Sequence, residues 1–239
     1  MQRVLRLSAL TALAVGTRRS AASSRSPLYF RCPSCGDSLL PSAGGNTLRC
    51  ASGHAVDAAK EGHYYLLKRP LAPAIAKETE EMARSARAFH DAGGFATYAD
   101  SLALEIARAL LDGPSPADGP AAPRQVLAAG CSDGVYLRAV EQALRSRGVF
   151  VGSEEARRET HQSGDKSSCH KSEGSEHASE AQMLKVGLWG VDPCKLAVRY
   201  AAKRQPSAHF AVASMHALPF ADGVFDLVFS AFGQSSWDE

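Results

Sequence analysis

No stretch of the 239 residues approaches the roughly 20 apolar positions that a membrane-spanning helix needs. A helical anchor is excluded on that ground, and no membrane partner is expected. A strong charge of either sign is also missing, since the formal net charge is +2. Six of the 27 basic residues (Arg3, Arg6, Arg18, Arg19, Arg25, Arg31) lie in the first 31 positions, which hold no acid. The remaining 21 basic residues face 25 acidic ones, so the body is slightly acidic. Whole-chain charge therefore gives no support to the basic face usual in nucleic-acid binders. Cysteine is scarce and unevenly placed. Three of the six fall within residues 32–50, while Cys131, Cys169 and Cys194 are scattered, which is not a disulfide framework.

The apolar content of 45% is enough for a real core, and the length allows one mid-sized domain plus a small module. Residues 1–26 are rich in Arg, Ser and Ala and free of acids, the composition of an organelle transit peptide. A plastid or mitochondrial destination follows from that reading, with the cytoplasm as the alternative. A secretory signal with Leu7–Val15 as its apolar core, or a structureless leader, are the competing readings.

Residues 27–69 contain Cys32-x2-Cys35 and Cys50-x3-His54. Two close pairs of soft or borderline donors supply the four ligands of a tetrahedral structural zinc site, with no position left open for catalysis. A module this small has little core of its own, so the metal would provide much of its folding energy. A redox pair at Cys32/Cys35 would leave Cys50 and His54 unexplained.

Residues 70–112 read as a helical connector. Thr79 to Ala88 is a run of helix formers, and Leu102, Ile106 and Leu110 recur at helical spacing. Asp91-Ala92-Gly93-Gly94 breaks the two helices. Residues 113–123 are a Pro/Gly linker, and from residue 124 to 239 strands and helices alternate. Apolar strands are predicted at Gln125–Ala129, Val186–Val191, His209–Ala213 and Phe225–Ser230, with helices around Leu137–Leu144 and Cys194–Lys203. That order predicts an α/β fold with a parallel sheet. Residues 152–185 interrupt it with a polar, charged stretch expected to be disordered. His161, Cys169, His170 and His177 within it lack the framing of a metal site.

The first strand runs into Gly130-Cys131-Ser132-Asp133-Gly134, and the second ends at Asp192. In doubly wound folds such a turn brings backbone close to a nucleotide-like cofactor, while the acid takes ribose hydroxyls. Asp192 lies 58 residues beyond Gly134, most of the excess being the 34-residue insertion. The full G-x-G-x-x-G is missing, which favours S-adenosylmethionine over a nicotinamide cofactor. The plainer readings are an ordinary strand-to-helix turn and, for Asp192, a helix cap ahead of Pro193.

Over most of residues 29–233 the chain resembles the bacterial large-subunit (23S) rRNA guanine-N1 methyltransferases. FRCPSCGDSL, LRCASGHAVDAAKEGHYYLL, EEMARSARAFHDAGGF and AAKRQPSAHFAVASMHALPFADGVFD carry the likeness. The resemblance implies a small zinc-binding module followed by an incomplete Rossmann-like, S-adenosylmethionine-dependent methyltransferase domain. It implies that Cys32, Cys35, Cys50 and His54 bind zinc in a module that helps recognise an rRNA hairpin. It implies that Gly130–Gly134 wraps the methionine part of the cofactor, that Asp192 binds the ribose, and that Ser214 and Met215 lie beside the adenine. The implied reaction is methylation of guanine N1 in large-subunit rRNA, and a homodimer is a further expectation. No general base is assigned. Tyr64, Tyr65 and Phe232 are candidates to stack on an unpaired base, with core packing the alternative for the two tyrosines.

Three departures stand against the family pattern D-x-G-C-G-x-G. Ala128 replaces the acid, and Ser132 replaces a glycine, both of which should weaken cofactor binding. Residues 152–185 have no counterpart. The sequence ends shortly after the fourth strand, whose apolar edge is then expected to be exposed, as in a fragment or a chain needing a partner. A non-catalytic RNA-binding derivative and a small-molecule methyltransferase are the alternative functions.

Overall fold

The computed structural model describes residues 3–8, 11–15, 29–42, 45–113, 123–152 and 184–232. The insertion therefore falls almost wholly outside the described residues, as does most of the 113–123 linker. The strands are β1 (Arg3–Ser8), β2 (Thr11–Val15), β3 (Leu40–Pro41), β4 (Thr47–Arg49), β5 (Ala55–Asp57), β6 (Tyr64–Tyr65), β7 (Arg124–Ala129), β8 (Phe150–Val151), β9 (Lys185–Asp192), β10 (His209–Val212) and β11 (Leu227–Ala231). The helices are α1 (Pro73–Asp91), α2 (Ala96–Leu111), α3 (Val135–Arg145) and α4 (Lys195–Arg204). Among these residues no helix is long and apolar enough to cross a membrane.

The main sheet runs β1-β2-β11-β7-β9-β10-β6, with β8 also paired to β9. Strands β7, β9, β10 and β11 are mutually parallel, as βα alternation demands. The chain moves from β7 outward through β9 to β10, then returns to place β11 on the other side of β7. That reversal leaves a crevice beyond the carboxyl ends of β7 and β11, the usual place for a ligand in such sheets.

Successive residues of a strand point to opposite faces, and here both faces are buried. Val126, Leu188, Phe210, Val212 and Phe229 join one core with Leu102, Ile106 and Leu110 of α2, Leu137, Val140 and Leu144 of α3, and Val198 of α4. Leu127, Trp189, Val191, Ala211 and Ala213 point the other way and meet Phe30, Leu39, Leu48 and Tyr64. The Cys/His module thus forms the second covering layer. Phe30 bridges to Phe220, and β6 extends the sheet by pairing in parallel with β10. Trp189 sits edge-on to Phe30 at 5.4 Å, and its indole N–H donates to Gln125 Oε1 at 2.7 Å.

One expectation is corrected. The edge of β11 is not open: β2 pairs with it antiparallel, Leu227 opposite Val15 through Ala231 opposite Thr11, and β1 folds back on β2. A strand edge presents unpaired N–H and C=O groups, and the Val-, Leu- and Thr-containing segment 11–15 can supply the complement.

Candidate functional site

The two metal-ligand pairs sit on two turns of the same design. Gly36 N–H donates to Cys32 O at 2.8 Å, and Gly53 N–H to Cys50 O at 3.0 Å. Both glycines have left-handed backbone (φ 80° and 85°), which lets each turn fold tightly enough for its donors to converge. The short sheet β3-β4-β5 holds the turns together. The donor atoms of Cys32, Cys35, Cys50 and His54 all lie within 4.8 Å of one another. Cys35 Sγ is 3.6 Å from Cys50 Sγ, which is 3.4 Å from His54 Nδ1. Zinc–sulfur bonds of about 2.3 Å in a tetrahedron require sulfurs roughly 3.8 Å apart, so this donor set fits zinc. Burial of Cys32 opposes ionisation, but the backbone N–H groups of Cys35 and Ser34, together with the Cys35 and Cys50 thiols, outweigh it and bring the thiol down to about 7. Ser52 donates to Asp37 Oδ2 at 2.7 Å, and Cys35 Sγ approaches the same oxygen, bracing the two turns from outside.

At the crevice, Gly130 ends β7 with φ 74°, and a Cβ there would lie 3.6 Å from Met215 Cε and 3.9 Å from Ser230 Oγ. Gly130, Met215 and Ser230 thus line one spot. Ser230 is buried, and its hydroxyl has no hydrogen-bond partner among the described residues. Asp192 closes the other side: its Oδ2 accepts from Ser132 N–H at 3.0 Å and its Oδ1 from Cys194 N–H at 2.8 Å. The second contact is a turn to the amide of Cys194, which is itself the N-cap of α4, so Asp192 is not the helix cap its position suggested. Each oxygen keeps a further lone pair for a ligand hydroxyl. Burial raises the Asp192 carboxyl, partly offset by these two N–H donors. Ser214 follows β10, and its hydroxyl accepts from His216 N–H at 3.1 Å.

Gly134, by contrast, packs against α4. A Cβ there would come within 3.0 Å of Ala201 Cβ, so its absence lets two helices approach. Cys131 is buried, and burial with the nearby Asp192 pushes its thiol far up, which makes it an inert support for the turn.

Of the stacking candidates, Tyr64 is buried against Phe30 and belongs to the core, whereas Tyr65 is 39% exposed. Phe232 is 41% exposed and stacks on Phe95 at 5.0 Å, with Tyr98 and Tyr136 alongside. Sequence reading missed Phe95, Ser230 and the buried charge of Asp133. A clue existed for Phe95 alone, which follows the Gly93-Gly94 break as an apolar residue.

A turn of this kind, with an acid ending the next strand and an unsatisfied hydroxyl between them, suits a methionine-bearing nucleoside cofactor. The sequence pattern of a methyltransferase domain matches residues 171–238. The chain is 28% identical over 206 residues to the 23S rRNA (guanine(748)-N(1))-methyltransferase of Streptomyces fradiae, covering 85% of this chain and 55% of that protein. It is 36% identical over 122 residues to a Micromonospora griseorubida protein provisionally named 23S rRNA (guanine-N(1)-)-methyltransferase, covering 48% and 41%. A Bacillus subtilis (strain 168) protein with the same provisional name is 28% identical over 211 residues, covering 88% and 58%. The chain thus spans about half the length of the curated relatives it matches. Its methyltransferase domain implies S-adenosylmethionine as cofactor. Along most of its own length the chain is similar to proteins named 23S rRNA (guanine-N1)-methyltransferases.

Proposed function

We propose that the chain transfers a methyl group from S-adenosylmethionine to N1 of a guanine in large-subunit rRNA. One observation carries the reading: the similarity runs through the Cys/His module and the sheet alike, over 85% of the chain. A methyltransferase that borrowed a zinc ribbon would match in one part only. The bound cofactor would supply the electrophilic methyl group. The protein's part is orientation. Gly130 would leave room for the methionine end beside Ser230, Asp192 would take ribose hydroxyls, and Ser214 and Met215 would lie beside the adenine. Cys32, Cys35, Cys50 and His54 would hold zinc and keep the module rigid against an rRNA hairpin.

The alternative is a non-catalytic RNA-binding derivative, which Ala128 and Ser132 favour because both depart from the cofactor-binding pattern. Incubating the full chain with methyl-labelled S-adenosylmethionine and a large-subunit rRNA transcript separates the two. Label in N1-methylguanosine, found by nucleoside mass spectrometry, is the expected result. RNA binding with no label would establish the derivative, and label only in small metabolites would sink both. Import into plastids or mitochondria and a homodimer complete the proposal. Organelle import assays and light scattering test them, and a cytoplasmic full-length monomer would count against both.

A further inference from the structure

The turn 130–134 contains a carboxylate that the cofactor reading does not use. Asp133 is fully buried. An unpaired charge in that position would be very costly, so its partners are obligatory. Asp133 Oδ1 lies 3.0 Å from His90 Nδ1, which donates to it, and Asp133 Oδ2 accepts from Arg204 Nη1 at 2.8 Å. The second guanidinium nitrogen of Arg204 pairs with Asp91. Asp91 also accepts from Arg87 Nε at 3.4 Å, and Arg87 lies over the Tyr200 ring at 4.2 Å. The end of α1 and the length of α4 therefore grip the turn from two sides through one carboxylate. Tyr136 and Phe89 pack around the His90 ring and keep it nearly buried.

The preceding residue shows what that grip holds. Ser132 has φ 50°, a left-handed backbone that side chains other than glycine avoid. Its amide, in that conformation, donates to Asp192. Where glycine would adopt this shape freely, a serine needs its neighbour pinned.

We infer that Asp133 is a positioning residue: through His90 and Arg204 it holds Ser132 in the left-handed form, and so sets the shape in which the turn receives S-adenosylmethionine. Because α1 follows the Cys/His module in the chain, the same contact makes the turn's rigidity depend on how the N-terminal half is seated. The role toward the cofactor rests on the proposed function; the locking of the turn does not.

The test uses the full chain with Asp133→Asn, His90→Leu and His90→Gln. Amide hydrogen exchange of residues 130–134 is followed without ligand, and S-adenosylmethionine affinity is measured by calorimetry. Asp133→Asn and His90→Leu should speed exchange in the turn about tenfold with β7 and α3 unchanged, and weaken binding by a similar factor. His90→Gln keeps a donor toward Asp133 and should restore both values to within about twofold of the wild type. Unchanged turn exchange in Asp133→Asn overturns the inference. So does faster exchange spread evenly through β7 and α3, which would mean a general structural role. If Asp133→Asn fails to fold, equal behaviour of His90→Leu and His90→Gln overturns it instead. If the wild type binds no cofactor while the turn still loosens in the variants, the methyltransferase reading fails and the locking stands.

Discussion

Gly134 and Ala201 stand so close that a methyl group on the first would lie 3.0 Å from Cβ and 3.1 Å from Cα of the second. Gly134 also has φ 82°. It starts α3 where α4 crosses behind it, so two requirements meet at one residue. A left-handed alanine costs about 1–2 kcal/mol, and forcing a methyl group into a filled contact adds roughly 1–3. Gly134→Ala should therefore lower stability by about 3 kcal/mol in denaturant unfolding. A loss below about 1 kcal/mol would show that the helices separate easily and that the contact is not selected for packing.

The Cys/His cluster gives a second expectation. Cys50 is buried, and its sulfur lies between Cys35 and His54. Its module also covers one face of the main sheet. Cys50→Ala should abolish stoichiometric zinc binding, measured by metal analysis, and remove RNA recognition by the module. Loss of the covering layer should also weaken near-ultraviolet dichroism from the aromatic contacts of Trp189. Retained zinc with unchanged RNA binding would refute the assignment of Cys50 as a ligand.

Stability should fall on acidification through a histidine that belongs to neither site. His209 is packed on Trp189, with ring centroids 4.4 Å apart, and burial lowers its pKa to about 4. The unfolded chain protonates this histidine near 6.5, whereas the folded chain refuses the proton until about 4. Above 6.5 both states are neutral and the group contributes nothing to pH dependence. Between 6.5 and 4 the unfolded state gains, and the folded chain loses up to roughly 3 kcal/mol. Asp192 works oppositely, since burial raises its carboxyl and the folded state takes up a proton first as pH falls. Urea midpoints from pH 8 to pH 4 should decline in the wild type and decline less in His209→Phe. Parallel profiles would show that His209 is hydrated in solution.

These features differ in how far they could be read from the residues. The strands β7, β9, β10 and β11 were legible because each is a short apolar run bounded by turn residues, and their order allows little but a parallel sheet. The gathering of four Cys/His donors was legible because their spacing is local: Cys32 with Cys35, Cys50 with His54. Strand β6 was not, since Tyr64-Tyr65 is too short to carry a period and is a strand only because β10 lies beside it. The pairing of residues 11–15 with β11 was hidden for a related reason. Composition does not announce such a pairing, because a strand edge accepts partners by backbone, without a side-chain code. The grip on Asp133 was least visible. His90 and Arg204 lie 43 and 71 residues away along the chain, and no local pattern announces a buried ion pair formed only by folding.

Asp192 supplies the most direct test of the crevice. Its carboxylate holds both the turn, through Ser132, and the entry to α4, through Cys194. Asp192→Ala removes the acid meant for the ribose and two charge-assisted hydrogen bonds, each worth about 1.5–3 kcal/mol. Asp192→Asn preserves the shape and one acceptor oxygen, so it separates the two contributions. The alanine variant should weaken S-adenosylmethionine binding at least tenfold and lower the melting temperature by several degrees. The asparagine variant keeps one of the two N–H contacts, so it should lose less stability than alanine yet still lose affinity, because a neutral amide is a poorer acceptor for ribose hydroxyls. Equal affinity in wild type and both variants would remove Asp192 from the cofactor site and leave it as a brace between the turn and the entry to α4.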